Sequence, residues 1–172
     1  MLSLGAVTLT PWSDADFPLL ERLNAPDMTV YLGGPEAADR LADRQRRYVA
    51  LSAAAPAAGR MFRVSLTETG EDIGSVGYWE REWRDEEVYE TGWGVLPEFQ
   101  GRGLAVAAVA AAASHAAAHG TRPALHAFPG VDHAASNAVC RRAGFTLLGE
   151  TQFEYPPGIF HTTHDWRLPL TP

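Results

Sequence analysis

The segment Val95-Leu96-Pro97-Glu98-Phe99-Gln100-Gly101-Arg102-Gly103-Leu104-Ala105 constrains the fold more than any other. It joins the end of an apolar strand to a helix that carries ten alanines between Ala105 and Ala118. Alanine is the best helix former, so a helix over Gly103 to His119 is predicted, with Gly120 placed for a left-handed C-cap. The first N–H groups of a helix lack partners within it, and they converge on one point that suits an anion. Gly101 and Gly103 let phosphate oxygens approach the main chain, Arg102 adds a fixed positive charge, and Ala105 avoids crowding in the first turn. A bare Gly-x-Gly also occurs in loops that merely join strand to helix, so context decides. The dinucleotide fingerprint needs glycine or alanine where this chain has Val106, and the Gly-Lys-Ser/Thr of a P-loop is absent.

Around this cradle the hydrophobic periodicity orders the remaining elements. Leu2 to Thr10 alternates and is closed by Pro11, as a first strand would be. Ser13 and Asp14 offer caps for a helix through Phe17, Leu20 and Leu23 to Asn24, and a second helix is predicted from Pro35 to about Ala55, after a turn at Tyr31 to Gly34. Arg60 to Thr67 alternates with period two, Thr69 to Asp72 supplies turn residues, and Ile73 to Glu80 returns. A polar link at Arg81 to Glu87 leads to a third strand, Val88 to Leu96. After the alanine-rich helix come a short strand at Ala124 to Phe128, a short helix at Ala134 to Ala143 ended by Gly144, and strands at Phe145 to Glu150 and Thr162 to Leu168. This mixed order predicts the α+β class, with helices packed on one twisted sheet.

At 172 residues the chain suits a single domain over 1–172, which buries roughly 70% of the surface its unfolded form exposes. The formal charge of -7 argues against a nucleic-acid partner and mildly favours a cationic substrate such as an amine. Cys140 is the one cysteine, which excludes an internal disulfide and paired-cysteine zinc sites and points to a reducing compartment. Met1 to Thr10 lacks a basic n-region followed by an apolar h-region, and the longest apolar stretch is broken by Ser114 and His115, so a cytoplasmic protein without membrane contact is expected.

Gln100, Gly103 and Ala105, with Pro97-Glu98 ahead of them, match the Gln/Arg-x-x-Gly-x-Gly/Ala signature, and the chain resembles the GNAT acetyltransferase superfamily. The likeness extends upstream to Tyr89-Glu90-Thr91-Gly92-Trp93-Gly94-Val95, similar to that family's fourth strand. Downstream, Ala135-Ser136 and Gly144-Phe145 resemble its second cofactor-contacting motif. Leu9-Thr10-Pro11 and Tyr31-Leu32-Gly33 are similar to the branch of ribosomal-protein alanine acetyltransferases. The resemblance implies a mostly antiparallel sheet of about six or seven strands with about four helices. It also implies acetyl-CoA as co-substrate, held by Gly94, Val95, Gln100, Gly101, Arg102, Gly103, Leu104, Ala105 and Ser136, and no metal.

Two positions depart from the family's pattern. An asparagine usually stands three residues before the serine, where this chain has His133; Asn137, one helical turn on, is the candidate to supply those amide hydrogen bonds to pantetheine instead. Four residues before Gly144, many members carry a tyrosine that protonates the leaving thiolate, and this chain has Cys140. A thiol, with a pKa of about 8.5, is able to donate that proton, although a lone cysteine on a short helix is more often a small buried hydrophobe.

Transfer to an amine needs a base. Glu90 shares a strand face with Gly92 and Gly94, which leave room for a ligand, and in several relatives a glutamate at the matching position takes the amine proton. The alternative is a solvated glutamate, or one paired with an arginine. The oxyanion donor would be the main-chain N–H near Gly94 or Val95, where the family's strand splays from its neighbour. His115 and His119 lie in the last turns of a helix, where imidazole complements the dipole, and no cysteine or carboxylate stands at motif spacing to complete a metal site. Tyr78, Trp79, Trp83, Trp93 and Tyr155 are candidates for core packing or for walls of an acceptor pocket; Trp83 is the one that no core-facing period explains. The acceptor itself, a protein N-terminus or a small amine, is open. Transfer of a longer acyl group and non-catalytic sensing of acyl-CoA are the other readings, and exposed strand edges make a homodimer conceivable.

Overall fold

The structure, a computed structural model, describes residues 1–170, with main chain alone for residues 2–4. One eight-stranded sheet runs through it in the order β1-β2-β3-β4-β5-β6-β8-β7. Its strands are β1 (Leu2–Leu4), β2 (Val7–Pro11), β3 (Gly59–Leu66), β4 (Asp72–Trp83), β5 (Glu86–Val95), β6 (Ala124–Ala127), β7 (Thr146–Glu154) and β8 (Phe160–Pro169). Four α-helices accompany them: α1 (Phe17–Leu23), α2 (Ala38–Ala53), α3 (Leu104–His119) and α4 (Ala134–Arg142). β5 and β6 are parallel, and every other neighbouring pair is antiparallel.

The alternation along β5 places the helices. Tyr89 and Thr91 are buried toward α3, where the Tyr89 ring crowds Gly120 at that helix's end. Glu90, Gly92 and Gly94 point to the other face, where Leu23 of α1 and Met28 come within contact of Gly94. α1 and α3 therefore cover opposite faces. On β8 the same logic applies: Trp166 and His164 turn to Asn137 on α4, while Asp165 turns to His126, placing α4 beside α3. The core lies mainly between β2 to β5 and α3, where Val7, Leu9, Phe62, Val64, Val76, Tyr78 and Tyr89 are fully enclosed with Val109 and Ala112. Alanine on most of α3 lets this helix pack close to the sheet.

Several local expectations change. Leu2 to Thr10 is not one strand: the chain turns at Gly5, in the left-handed region at φ 63°, and makes a β1–β2 hairpin, the eighth strand. The second helix begins at Ala38 and not at Pro35. The polar link at Arg81 to Glu87 is mostly strand, because β4 and β5 stay paired to Trp83 and Glu86 and reverse on Arg84 and Asp85, both left-handed at φ 51° and 63°. Gly120 is not a left-handed cap; its φ of −86° suits any residue, and glycine is required because a Cβ would lie 2.6 Å from the Tyr89 ring and 2.5 Å from the Ala116 carbonyl.

Candidate active site

β5 and β6 are the two parallel strands, and their ladder consists of Tyr89 opposite Leu125 and Glu90 opposite His126. Beyond that pair the strands diverge, so Thr91 to Val95 borders a notch on the β6 side. Each strand feeds a helix on the same face: β5 leads to α3 and β6 to α4. Both helix starts consequently lie at the end of the sheet where the notch opens, with the Gly101–Gly103 loop on one flank and Ser136 on the other.

The main-chain direction at the notch follows from one bond. Leu96 N–H donates to Ile73 C=O on the β4 side at 2.8 Å, and the β4–β5 register is unbroken from Trp83 opposite Glu86 to Gly74 opposite Val95. Alternation then aims the N–H and C=O of Val95 away from β4, into the notch, and those of Gly94 toward β4. The Val95 carbonyl accepts a bond from Gln100 Nε2 at 2.8 Å, folding the loop back on the strand end. Between the two amides left open by the sequence, Val95 is the one that points into the notch.

The cradle itself is open. Gly101 and Gly103 have φ values of 74° and 75°, and a Cβ built at either would touch nothing within 4 Å. Arg102 is exposed beside the Phe99 ring. The first main-chain bond of α3 runs from Ala107 N–H to Gly103 C=O at 3.1 Å, so the amides ahead of it have no partner within the helix. Leu104 turns its side chain into the core and Ala105 packs partly against it, which leaves their amides as the groups facing outward.

Glu90 sits at the inner end of the notch. Its Oε2 accepts Arg81 Nη1–H at 2.8 Å and Trp79 Nε1–H at 3.2 Å, and Oε1 takes neither bond. Burial pushes its carboxyl above the usual range, while the Arg81 charge and the two donated bonds pull the other way. The expected pairing with an arginine is therefore present, and one carboxylate oxygen stays available.

Three expectations need correction. Asn137 is buried and saturated: Nδ2 donates to the carbonyls of Gly130 and His133 at 3.0 and 2.9 Å, and Oδ1 accepts from Trp166 Nε1 at 2.8 Å and His164 Nδ1 at 2.7 Å. An amide has two hydrogens and two lone pairs, so it has nothing left to give pantetheine. Cys140 is enclosed in the core at 0% exposure, with burial pushing its thiol up to about 12, and it packs as a hydrophobe. His115 does not serve the helix dipole; its Nδ1 meets the Tyr78 hydroxyl at 2.9 Å inside the fold. Ser136, half-buried in the first turn of α4, keeps Oγ 3.3 Å from His133 Nε2. The His133 ring in turn stacks on Tyr31 with centroids 3.9 Å apart, joining the loop that covers the Glu90 face to the loop ahead of α4.

A profile for the Acetyltransferase (GNAT) domain matches residues 6–146. The chain belongs to the GNAT acetyltransferase family. Solved acetyltransferase structures agree in fold over nearly the whole chain. An acetyltransferase from Agrobacterium tumefaciens is 26% identical with a TM-score of 0.78, over 97% of this chain and 92% of that one. A Salmonella typhimurium acetyl transferase that modifies the N-terminal serine of the 50S ribosomal subunit protein L7/L12 is 21% identical, with a TM-score of 0.77 over 96% of each chain. Spermidine N-acetyltransferase from Vibrio cholerae, in complex with CoA and spermine, is 17% identical with a TM-score of 0.75 over 97% of each. No curated protein matches the chain by sequence.

The residues present fit the phosphates and amide-bearing arm of a CoA thioester: an open glycine cradle, an exposed guanidinium and an unpaired strand edge. Among the described residues no group of three or more histidine, cysteine or acidic side chains is placed to hold a metal, and no helix is long and apolar enough to cross a membrane. Arg81, His126 and Asp165 were missed from the sequence, and Trp79, offered there as a pocket wall or core residue, is instead a hydrogen-bond donor to Glu90. A hairpin centred on Arg84-Asp85 would have set Glu90 opposite Trp79 and diagonal to Arg81, but Arg-Asp is not a recognised signal for such a turn.

Proposed function

We propose that this GNAT domain transfers the acetyl group of acetyl-CoA directly to a primary amine in a ternary complex. The observation that carries the reading is the notch, where the Val95 N–H, the anion cradle and Glu90 converge on one unpaired strand edge. The amides of Gly101 to Ala105 and Arg102 hold the pyrophosphate. Val95 N–H donates to the thioester carbonyl oxygen, stabilising the negative charge that gathers there as the amine attacks. Glu90 Oε1 accepts the amine's proton, directly or through one water. Cys140 has no route to the departing sulfur, so the thiolate leaves as such or takes its proton from water.

The acceptor is an amine-bearing molecule of the kind the neighbours' names describe, a protein N-terminus or a small amine. An assay of CoA release over a panel of peptides, polyamines and aminoglycosides tests this, with Glu90→Gln and Arg102→Ala alongside. Release with at least one amine, lost in Glu90→Gln, is the expected result. CoA binding without release from any amine would establish an acyl-CoA sensor instead, and preference for longer acyl-CoAs would change the donor.

A further inference from the structure

The surroundings of Glu90 hold groups with no part in the bond-making steps of the transfer reaction. Arg81, which bonds Glu90 Oε2, has its guanidinium carbon 4.4 Å from the centre of the Phe153 ring, 5.6 Å from Phe128 and 5.7 Å from Trp83. These rings come from β7, from the residue after β6, and from β4, so the cage is assembled by the tertiary fold. The rings also hold one another: Phe128 stacks on Phe153 at 4.5 Å and meets Trp83 edge-on at 4.7 Å. Beneath them Asp165, 1% exposed, accepts Trp83 Nε1–H at 2.9 Å and meets His126 Nδ1 at 2.7 Å. Burial would raise the Asp165 carboxyl, but these two bonds hold it below its ordinary range, so a fixed negative charge anchors the cage floor.

We propose that Arg81 is a positioning residue for the transfer reaction: the Phe153–Phe128–Trp83 cage clamps its guanidinium on Glu90 Oε2, so that ionised Glu90 presents Oε1 to the acceptor amine. The inference rests on Glu90 being the base. Three observations separate this arrangement from an ordinary surface ion pair. Trp79 and Arg81 choose the same oxygen, which fixes the carboxylate's orientation. The pair is largely screened from water, at 29% and 14% side-chain exposure, where a charge partner acts more strongly than at the surface. The three rings remove the rotamer freedom that normally weakens an arginine contact, and guanidinium binds aromatic faces well. The other charged and titratable groups on this face, among the described residues, include the Arg167–Glu86 ion pair between β8 and β5 at 3.0 Å and His161 opposite Phe153. His126 on β6, level with Glu90, is engaged with Asp165, and Asp165 on β8 also has Arg84 Nη1 at 3.8 Å. From the α1 side, Leu23 and Met28 are the groups that reach Gly94 on this strand face.

The test follows kcat/KM for an amine found in the panel assay from acid to alkaline pH, in wild type, Arg81→Met, Arg81→Lys, Phe153→Leu and Glu90→Gln, with folding checked by circular dichroism. In Arg81→Met the acidic limb moves to higher pH by about one unit, so activity on the acid side falls roughly tenfold and recovers at alkaline pH. Arg81→Lys keeps the limb in place with a lower plateau, since ammonium retains the charge but lacks the planar fork. Phe153→Leu moves the limb the same way by less, and it decides the matter should Arg81→Met fail to fold. An equal loss at every pH, or an unmoved limb in folded Arg81→Met and Phe153→Leu, overturns the proposal. Glu90→Gln separates the two layers. Full activity there defeats the base assignment itself, whereas a lost limb in Glu90→Gln beside an unmoved one in Arg81→Met and Phe153→Leu defeats the positioning role alone.

Discussion

At the scale of single residues, the two side chains offered as substitutes for residues of the family pattern, Asn137 and Cys140, are buried in the fold. Asn137 makes four hydrogen bonds, two to His164 and Trp166 on β8 and two to the Gly130 and His133 carbonyls ahead of α4, each worth about 1 kcal/mol net. Asn137→Ala should therefore lower unfolding free energy by roughly 2–4 kcal/mol while leaving the KM for acetyl-CoA within about threefold, as urea unfolding and kinetics on the folded fraction will measure. A large KM rise in folded protein would put the amide back against the ligand. Cys140→Ala removes one buried sulfur, costs on the order of 1 kcal/mol, and should keep kcat; a collapse of kcat with the fold intact would restore the thiol as acid. Glu90 differs from both because the strand alternation that made it a candidate also holds it at the notch. Its partners were illegible because they lie across a hairpin whose turn, Arg84-Asp85, needs two left-handed residues that sequence does not advertise.

At the scale of elements, α3 shows how far composition reaches. Its alanines predicted the helix to within a residue, yet they do not say what its C-terminal end touches. Gly120 is needed for clearance from the Tyr89 ring, so Gly120→Ala should destabilise by about 1–3 kcal/mol through overpacking, read as a lower denaturation midpoint. Wild-type stability in Gly120→Ala would mean that the ring has room to move. His115 near the same end is driven down from 6.5 to about 4, first by burial and then by His119 and Arg60. Between those values the unfolded chain binds a proton that the folded chain refuses, so stability falls as pH drops from about 6.5 toward 4. Denaturant midpoints at successive pH values should show this slope in wild type and a shallower one in His115→Gln; identical slopes would remove His115 from the account.

At the scale of the molecule, the divergence of two parallel strands opens a notch in an otherwise continuous sheet, and that notch is the proposed ligand site. A ligand that bridges both flanks stabilises only the folded chain, by roughly 2.7 kcal/mol at a hundredfold excess over Kd, so acetyl-CoA should raise Tm. Arg102→Ala should weaken that rise and increase the KM for acetyl-CoA several-fold up to about tenfold, as loss of one charge-assisted contact at an exposed site does. An unchanged Tm shift would exclude Arg102 from the cradle.

The sequence by itself determined what is local or periodic: the strand, glycine loop and helix of the cradle, the alternation along β5 that puts Glu90 on the face of Gly92 and Gly94, and the α+β class. These follow from main-chain geometry and from residues a few positions apart, which any stretch of chain carries with it. Tertiary structure alone decided which groups meet across strands. It turned Leu2 to Thr10 into a hairpin, aimed Val95 and not Gly94 into the notch, used up Asn137, closed off Cys140 and caged Arg81 beside Glu90. The hairpin and the Arg81–Glu90 contact are near in sequence but hang on where the chain turns, at Gly5 and at Arg84-Asp85, while the others depend on contacts between residues tens of positions apart; no hydrophobic period encodes either.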